Sequence, residues 1–153
     1  MIAGAEQQEH RIVVGVDGSE PSKAAFRWAV RQAELTGAVV DAVIAWEFPA
    51  FTSYPAVGID IDFEGAASSV LADAIAEVTA PGSGTASIRS KAVEGNAAQA
   101  LLDAAEGADL LVVGSRGHGG FVEALLGSTG QHCVHHATCP VVVIRDSVTS
   151  PRR

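Results

Sequence analysis

Between residues 11 and 144 the chain switches repeatedly between two hydrophobic periods, and this alternation restricts its architecture most. Five short runs rich in Val and Ile read as strands: residues 11–17 (RIVVGVD), 38–46 (AVVDAVIAW), 85–93 (TASIRSKAV), 109–114 (DLLVVG) and 140–144 (PVVVI). Longer segments with helical spacing separate them, at residues 20–36, 63–79, 97–106 and 128–136. The punctuation agrees. Ser19 can cap the first helix, Pro21 suits its first turn and Gly37 ends it. Pro81-Gly82-Ser83-Gly84 breaks the second helix, and Gly95-Asn96 opens the third. Strands separated by helices make βαβ units with right-handed crossovers and a mostly parallel sheet. The expected fold is α/β, a doubly wound five-stranded sheet with helices on both faces.

At 153 residues the chain fits one domain, expected over 10–146 between disordered tails at 1–9 and 147–153. Its 48% hydrophobic and 18% charged residues are too apolar for disorder, and aromatics at 5% leave the core to Ala, Val, Leu and Ile. The third strand differs from the rest: Ser87, Arg89 and Lys91 fall on one face and Ile88 and Ala92 on the other, which suits an exposed edge. The loop at 47–62, rich in Pro and aromatics, is long enough to cover a ligand. A net charge of −8 opposes a nucleic-acid partner and an anionic membrane surface. No secretory pattern and no apolar run of about 20 residues is present, and Cys133 and Cys139 cannot make a disulfide framework. The expected setting is a reducing cytoplasm.

Six of the sixteen glycines fall within residues 114–130, GSRGHGGFVEALLGSTG. The stretch leaves the carboxyl end of the fourth strand, where open α/β sheets bind ligands, and reaches the start of the last helix. Free amides and the helix dipole there favour an anion, and glycines admit phosphate oxygens close to the backbone. Ser128 and Thr129 add hydroxyls and Arg116 a charged fork. The plainer reading is a flexible loop of low complexity. No P-loop spacing and no dinucleotide fingerprint after the first strand occurs.

Gly114, two residues, Gly117, nine residues, then Gly127-Ser128 resembles the G-2x-G-9x-G-(S/T) signature of ATP-binding universal stress proteins. Val14-Gly15-Val16-Asp17-Gly18-Ser19 is similar to that family's first strand and turn, Val93 with Gly95 to its third-strand exit, and Cys139-Pro140-Val141 to its entry to the last strand. The resemblance covers nearly the whole chain. It implies a Rossmann-like sheet ordered 3-2-1-4-5 and a homodimer paired through the last strand. It also implies a site for ATP or a related adenine nucleotide such as cyclic AMP, with Mg²⁺ accompanying ATP. By position, Gly114, Arg116, Gly117 and His118 would line the ribose and phosphates, and Gly127, Ser128 and Thr129 the terminal phosphates. Asp17 would reach the ribose or a phosphate-bound metal, and the backbone at Trp46 the adenine edge, with Gly15, Val16 and Val113 beside them. Thr129 departs from the family, where a small apolar residue is frequent, and the His135-His136 pair is no hallmark of it.

Weighed singly, Asp17 reads as a ligand-binding group at the crevice, the alternative being a helix cap that Ser19 already supplies. A phosphoacceptor role would need neighbouring acids, which Gly18 and Ser19 are not. His132 and His136 have the i, i+4 spacing of metal ligands, but exposed polar positions are the better reading without a completing carboxylate or cysteine. Cys133 and Cys139 read as small buried hydrophobes, and Trp28 as core. Residues 1–113 carry six basic and sixteen acidic side chains, so the acidic surplus lies before the glycine-rich segment. The residues 141–144 (VVVI) are apolar on both faces of an expected edge strand, which invites a second copy. A nucleotide-dependent sensor or switch is the leading expectation; a slow ATPase, a cyclic AMP binder and a dimeric interaction module without nucleotide are the alternatives.

Overall fold

In a computed structural model describing residues 9–48, 61–79, 86–115 and 127–145, strand β1 (Arg11–Gly15) lies at the centre of a parallel sheet. It pairs with β2 (Val39–Trp46) on one side and β4 (Leu110–Gly114) on the other. β3 (Ser87–Glu94) extends the sheet beyond β2, and β5 (Val141–Ile144) beyond β4. The order is therefore 3-2-1-4-5, as the resemblance implies.

Strand residues alternate between two cores, as the period of a pleated strand requires. Ile12, Val14, Val40, Ala42, Ile44 and Val112 pack on one face against α1 (Glu20–Thr36) and α2 (Phe63–Val78). Val13, Val43, Leu111 and Val113 pack on the other face against α3 (Ala97–Ala104) and α4 (Ser128–His136). Small residues on the helices (Ala25, Ala29 and Ala33 of α1, Ala67 and Ala74 of α2, Ala98 of α3) let them approach closely. The one large side chain wholly inside α1's face is Phe26, with Val30 beside it, while Trp28, expected in the core, is only half-buried.

The helix ends follow the residues that mark them. Ser19 caps α1 and Asn96 caps α3, each side-chain oxygen accepting an amide three residues on. Gly37 closes α1 at φ +80°, a left-handed conformation that costs glycine little. Several boundaries are shorter than the apolar runs. β1 stops at Gly15 because the chain turns through Gly18 at φ +86°, although the Val16 amide still donates to the Val43 carbonyl at 2.9 Å. α3 stops at Ala104, where Gly107 (φ +77°) redirects the chain toward β4. Both β3 and β5 are edges. All of β5's residues are half-buried. Of the expected tails at 1–9 and 147–153 only Glu9 is described, and it accepts from Arg89 at 3.1 Å; most of the covering loop, the break at 81–84 and the start of the third strand at 85 also lie outside the described residues.

Candidate functional site

Chain order reverses between β1 and β4: β1 leads to β2 on one side, while β4 and β5 continue on the other. Such a reversal leaves a crevice beyond the carboxyl ends of the two strands, where crossovers depart to opposite faces. A cavity of about 340 Å³ lies there. Gly15, Val16 and Asp17 line it from the end of β1 and the turn after it, Val113, Gly114 and Ser115 from the end of β4, and Gly127, Ser128, Thr129 and Gly130 from the cap and first turn of α4. The structure thus brings together eight of the expected site residues: Gly15, Val16, Asp17, Val113, Gly114, Gly127, Ser128 and Thr129. Arg116, Gly117 and His118 lie outside the described residues.

The start of α4 sets the chemistry. Every helix has amides in its first turn that precede the first intrahelical bond. In α1, α2 and α3 a side chain meets one of them: Ser19 accepts from Ser22 at 3.3 Å, Asp62 from Gly65 at 2.8 Å and Asn96 from Gln99 at 3.0 Å. In α4 the cap is Gly127, which has no side chain to offer, and no side-chain cap is found among the described residues. Its first bond runs from the Gln131 amide to the Gly127 carbonyl at 3.0 Å, and the Gly127 amide is held by the Ser115 carbonyl at 2.8 Å. The Ser128, Thr129 and Gly130 amides precede that bond, on residues that line the cavity. Together with the helix dipole they favour an anion.

Asp17 is an exposed residue at the opposite wall. Its Oδ1 accepts from the Ser19 amide at 2.9 Å and the Ser19 hydroxyl at 2.5 Å. Its own amide donates to the Ser22 hydroxyl at 3.1 Å, which in turn donates to the Ser19 carbonyl at 3.0 Å. Ser19 is therefore the helix cap, and Asp17 orients that cap from the wall of the cavity. Ser22, Ser115 and Gly130 line the cavity too, with Val43, Ala45, Ala97 and Leu101 supplying its apolar wall. These were not singled out in the sequence. The available signal was positional, since each stands within a turn of a strand's carboxyl end or a helix start.

Two glycines of the site have a packing reason that the sequence pattern does not disclose. A Cβ on Gly114 would stand 2.6 Å from the carbonyl oxygen of Pro21, so Gly114 admits the start of α1. A Cβ on Gly15 would stand 2.7 Å from a methyl of Leu101 in α3. Trp46, expected at an adenine edge, is the last residue of β2. Its carbonyl accepts from the Gly95 amide at 2.8 Å, its ring meets Phe48 edge-on at 5.5 Å, and its buried indole Nε1 has no hydrogen-bond partner among the described residues. Val43 and Ala45, not Trp46, are the described residues of β2 that line the cavity.

The amino end of the sheet holds the other polar cluster. Asp41 of β2 is 1% exposed and accepts from Arg11 of β1 at 3.0 Å and from Arg89 of β3 at 2.8 Å. Burial alone would push its carboxyl up; the Arg89 and Arg11 hydrogen bonds outweigh that and hold it below the ordinary carboxylate range. Arg89, expected as a solvated edge charge, is thus also a structural clamp. Burial pushes the Cys133 thiol up to about 11 and raises Cys139 as well, so Cys133 is the inert core residue expected while Cys139 is only half-buried. Among the described residues no group of three His, Cys, Asp or Glu stands ready to hold a metal, and no helix is long and apolar enough to cross a membrane.

The Universal stress protein family model matches residues 9–145. A universal stress protein of Mycolicibacterium smegmatis (strain ATCC 700084 / mc(2)155) is 35% identical over 149 residues, which cover 89% of this chain and 48% of that protein. The chain therefore spans about half the length of the curated relatives it matches. Among solved structures, universal stress protein UspA from Lactobacillus plantarum superposes with a TM-score of 0.72 at 26% identity, over 90% of this chain and 99% of that one. A universal stress protein in complex with cAMP superposes with a TM-score of 0.65 at 27% identity, over 92% and 99% of the two chains. Sheet order, cavity position and these likenesses agree: the chain belongs to the universal stress protein family.

Proposed function

We propose that the cavity binds an adenine nucleotide, with ATP as the preferred form, and that the chain works as a nucleotide-dependent switch rather than an efficient enzyme. The observation that carries this is the start of α4, the one described helix whose first-turn amides meet no side-chain cap, opening on a cavity large enough for a small ligand. Phosphate oxygens would take the Ser128, Thr129 and Gly130 amides, and the apolar wall of Val43, Ala45, Ala97 and Leu101 would receive the base and sugar. Gly114 and Gly127 carry the phosphate signature at the described positions, and Arg116, Gly117 and His118 would complete it from the adjoining loop. The Asp17 carboxylate is a hard oxygen donor suited to Mg²⁺, which keeps several waters and shares phosphates with one or two carboxylates. Isothermal titration with ATP and Mg²⁺ tests the reading: micromolar binding that adenosine fails to reproduce supports it, and equal affinity for adenosine refutes the phosphate role.

Cyclic AMP is the second reading, favoured by the relative solved in complex with it. One phosphate would occupy the same amides, so competition between ATP and cyclic AMP decides between them. Slow hydrolysis is separated from binding by single-turnover measurement with Asp17→Ala as control. Homodimer formation through Val141–Ile144 rests on an edge strand whose residues are apolar yet only half-buried. Monomeric sedimentation at micromolar concentration would count against it. Both described cysteines are free, which suits a reducing cytoplasm.

A further inference from the structure

Helix α4 carries a second constellation at the end remote from the cavity. His132 and His136 are one turn apart, both exposed, with ring centroids 4.3 Å apart and planes inclined by 26°. The Nδ1 of His136 lies 3.1 Å from the His132 carbonyl oxygen. A carbonyl only accepts, so Nδ1 is the donor, and the neutral ring then keeps its lone pair on Nε2. Metal-binding histidines are commonly oriented in this way, one ring nitrogen donating to a backbone carbonyl while the other faces the ion. A tetrahedral ion held at about 2.0–2.1 Å by two imidazole nitrogens sets them roughly 3.3 Å apart. In the structure the two rings are stacked with centroids 4.3 Å apart, so binding requires side-chain rotations that turn a nitrogen of each toward one ion, a motion open to exposed side chains one turn apart.

We infer that His132 and His136 form a two-imidazole site for a late first-row divalent cation, with water filling the remaining positions. It is independent of the nucleotide cavity. Imidazole selects Cu²⁺, Ni²⁺ and Zn²⁺ over Mg²⁺ and Ca²⁺, which prefer oxygen donors. His135 stands 6.4 Å from His136 with its ring plane inclined by 64°, so it stays outside the chelate. The test is equilibrium dialysis of the tag-free chain against NiCl₂, with MgCl₂ as the comparison ion. One Ni²⁺ per chain is expected, with no Mg²⁺ retained at matched concentration in the absence of nucleotide. His132→Ala and His136→Ala should each weaken Ni²⁺ binding by about tenfold or more, since the second ligand acts at high effective concentration. His135→Ala should stay within about twofold, because it removes no ligand of the chelate. All three positions are exposed, and unchanged thermal melting confirms that the variants fold. Equal Ni²⁺ binding by the parent, His132→Ala and His136→Ala overturns the site, as does an equal loss in His135→Ala.

Discussion

At the amino end of the sheet, Asp41 is taken out of water and receives hydrogen bonds from Arg11 and Arg89 on the two flanking strands. At the carboxyl end, first-turn amides of α4 belong to residues that open on a cavity, and no described side chain caps them. The same sheet therefore saturates its polar groups at one end and leaves donors available at the other. A buried charge without partners costs several kcal/mol, so Asp41 needs its arginines for the fold to stand. Amides facing a solvent-filled cavity are satisfied by water until an anion displaces it, so they carry no such penalty. One end is closed by ion pairs, and the other keeps backbone donors beside a cavity.

Substitutions at the two ends should separate these roles. The largest effect is expected from Asp41→Ala, which removes the carboxylate shared by two arginines that are 19% and 47% exposed, leaving Arg11 the Ala104 and Glu106 carbonyls and Arg89 the Glu9 carboxylate. Their access to water places the loss near the lower limit for a broken buried pair, about 3 kcal/mol, read as a fall in chemical-denaturation midpoint. Nucleotide affinity should not change with it; a parallel loss of binding would break the division between the ends. Gly114→Ala comes next, at roughly 2 kcal/mol, because the Cβ meets the Pro21 backbone and α1 must shift. Gly15→Ala should cost under about 1 kcal/mol, since a flexible Leu101 methyl can move aside. The reverse order would show that packing does not set these glycines.

Acid should weaken the amino end through Asp41. The native Asp41 carboxyl lies below the ordinary value of 3.8, so its contribution is present above that pH and fades as pH falls through the native value. Stability below about pH 4 should therefore fall more steeply in the parent than in Asp41→Asn, measured by denaturant midpoints across pH. Identical slopes would show that Asp41 is not held by its arginines. The smallest effect concerns the core between the ends. A thiol near 11 inside the sheet's second core should leave Cys133 unmodified by a thiol reagent at pH 8 until urea exposes it.

The element order was open to reading because each strand and helix carries its own local period, and Ser19, Gly37 and Asn96 mark their ends chemically. The two-core arrangement follows from the same alternation. Asp41 was not legible as a clamp, because its partners are 30 and 48 residues away and meet it only through strand register. A lone carboxylate inside the apolar run AVVDAVIAW was the available sign. At the site, the glycine-rich signature picks out Gly114 and Gly127 of the cavity lining, since glycine spacing is local. Ser22, Ala97 and Leu101 come from elements the signature does not touch.

The central claim is that backbone amides of α4 hold the phosphates, and Ser128→Pro tests it most directly. Proline at the first helical position removes that amide while its fixed φ remains compatible with the helix, and Gly127 before it is already extended at ψ 173°. Ser128→Ala removes the hydroxyl alone. Calorimetric titration with ATP and Mg²⁺ should show Ser128→Pro weaker than Ser128→Ala by about tenfold or more, the worth of one hydrogen bond to a charged group, with the melting temperature unchanged. Equal ATP affinity in the two variants would contradict the account.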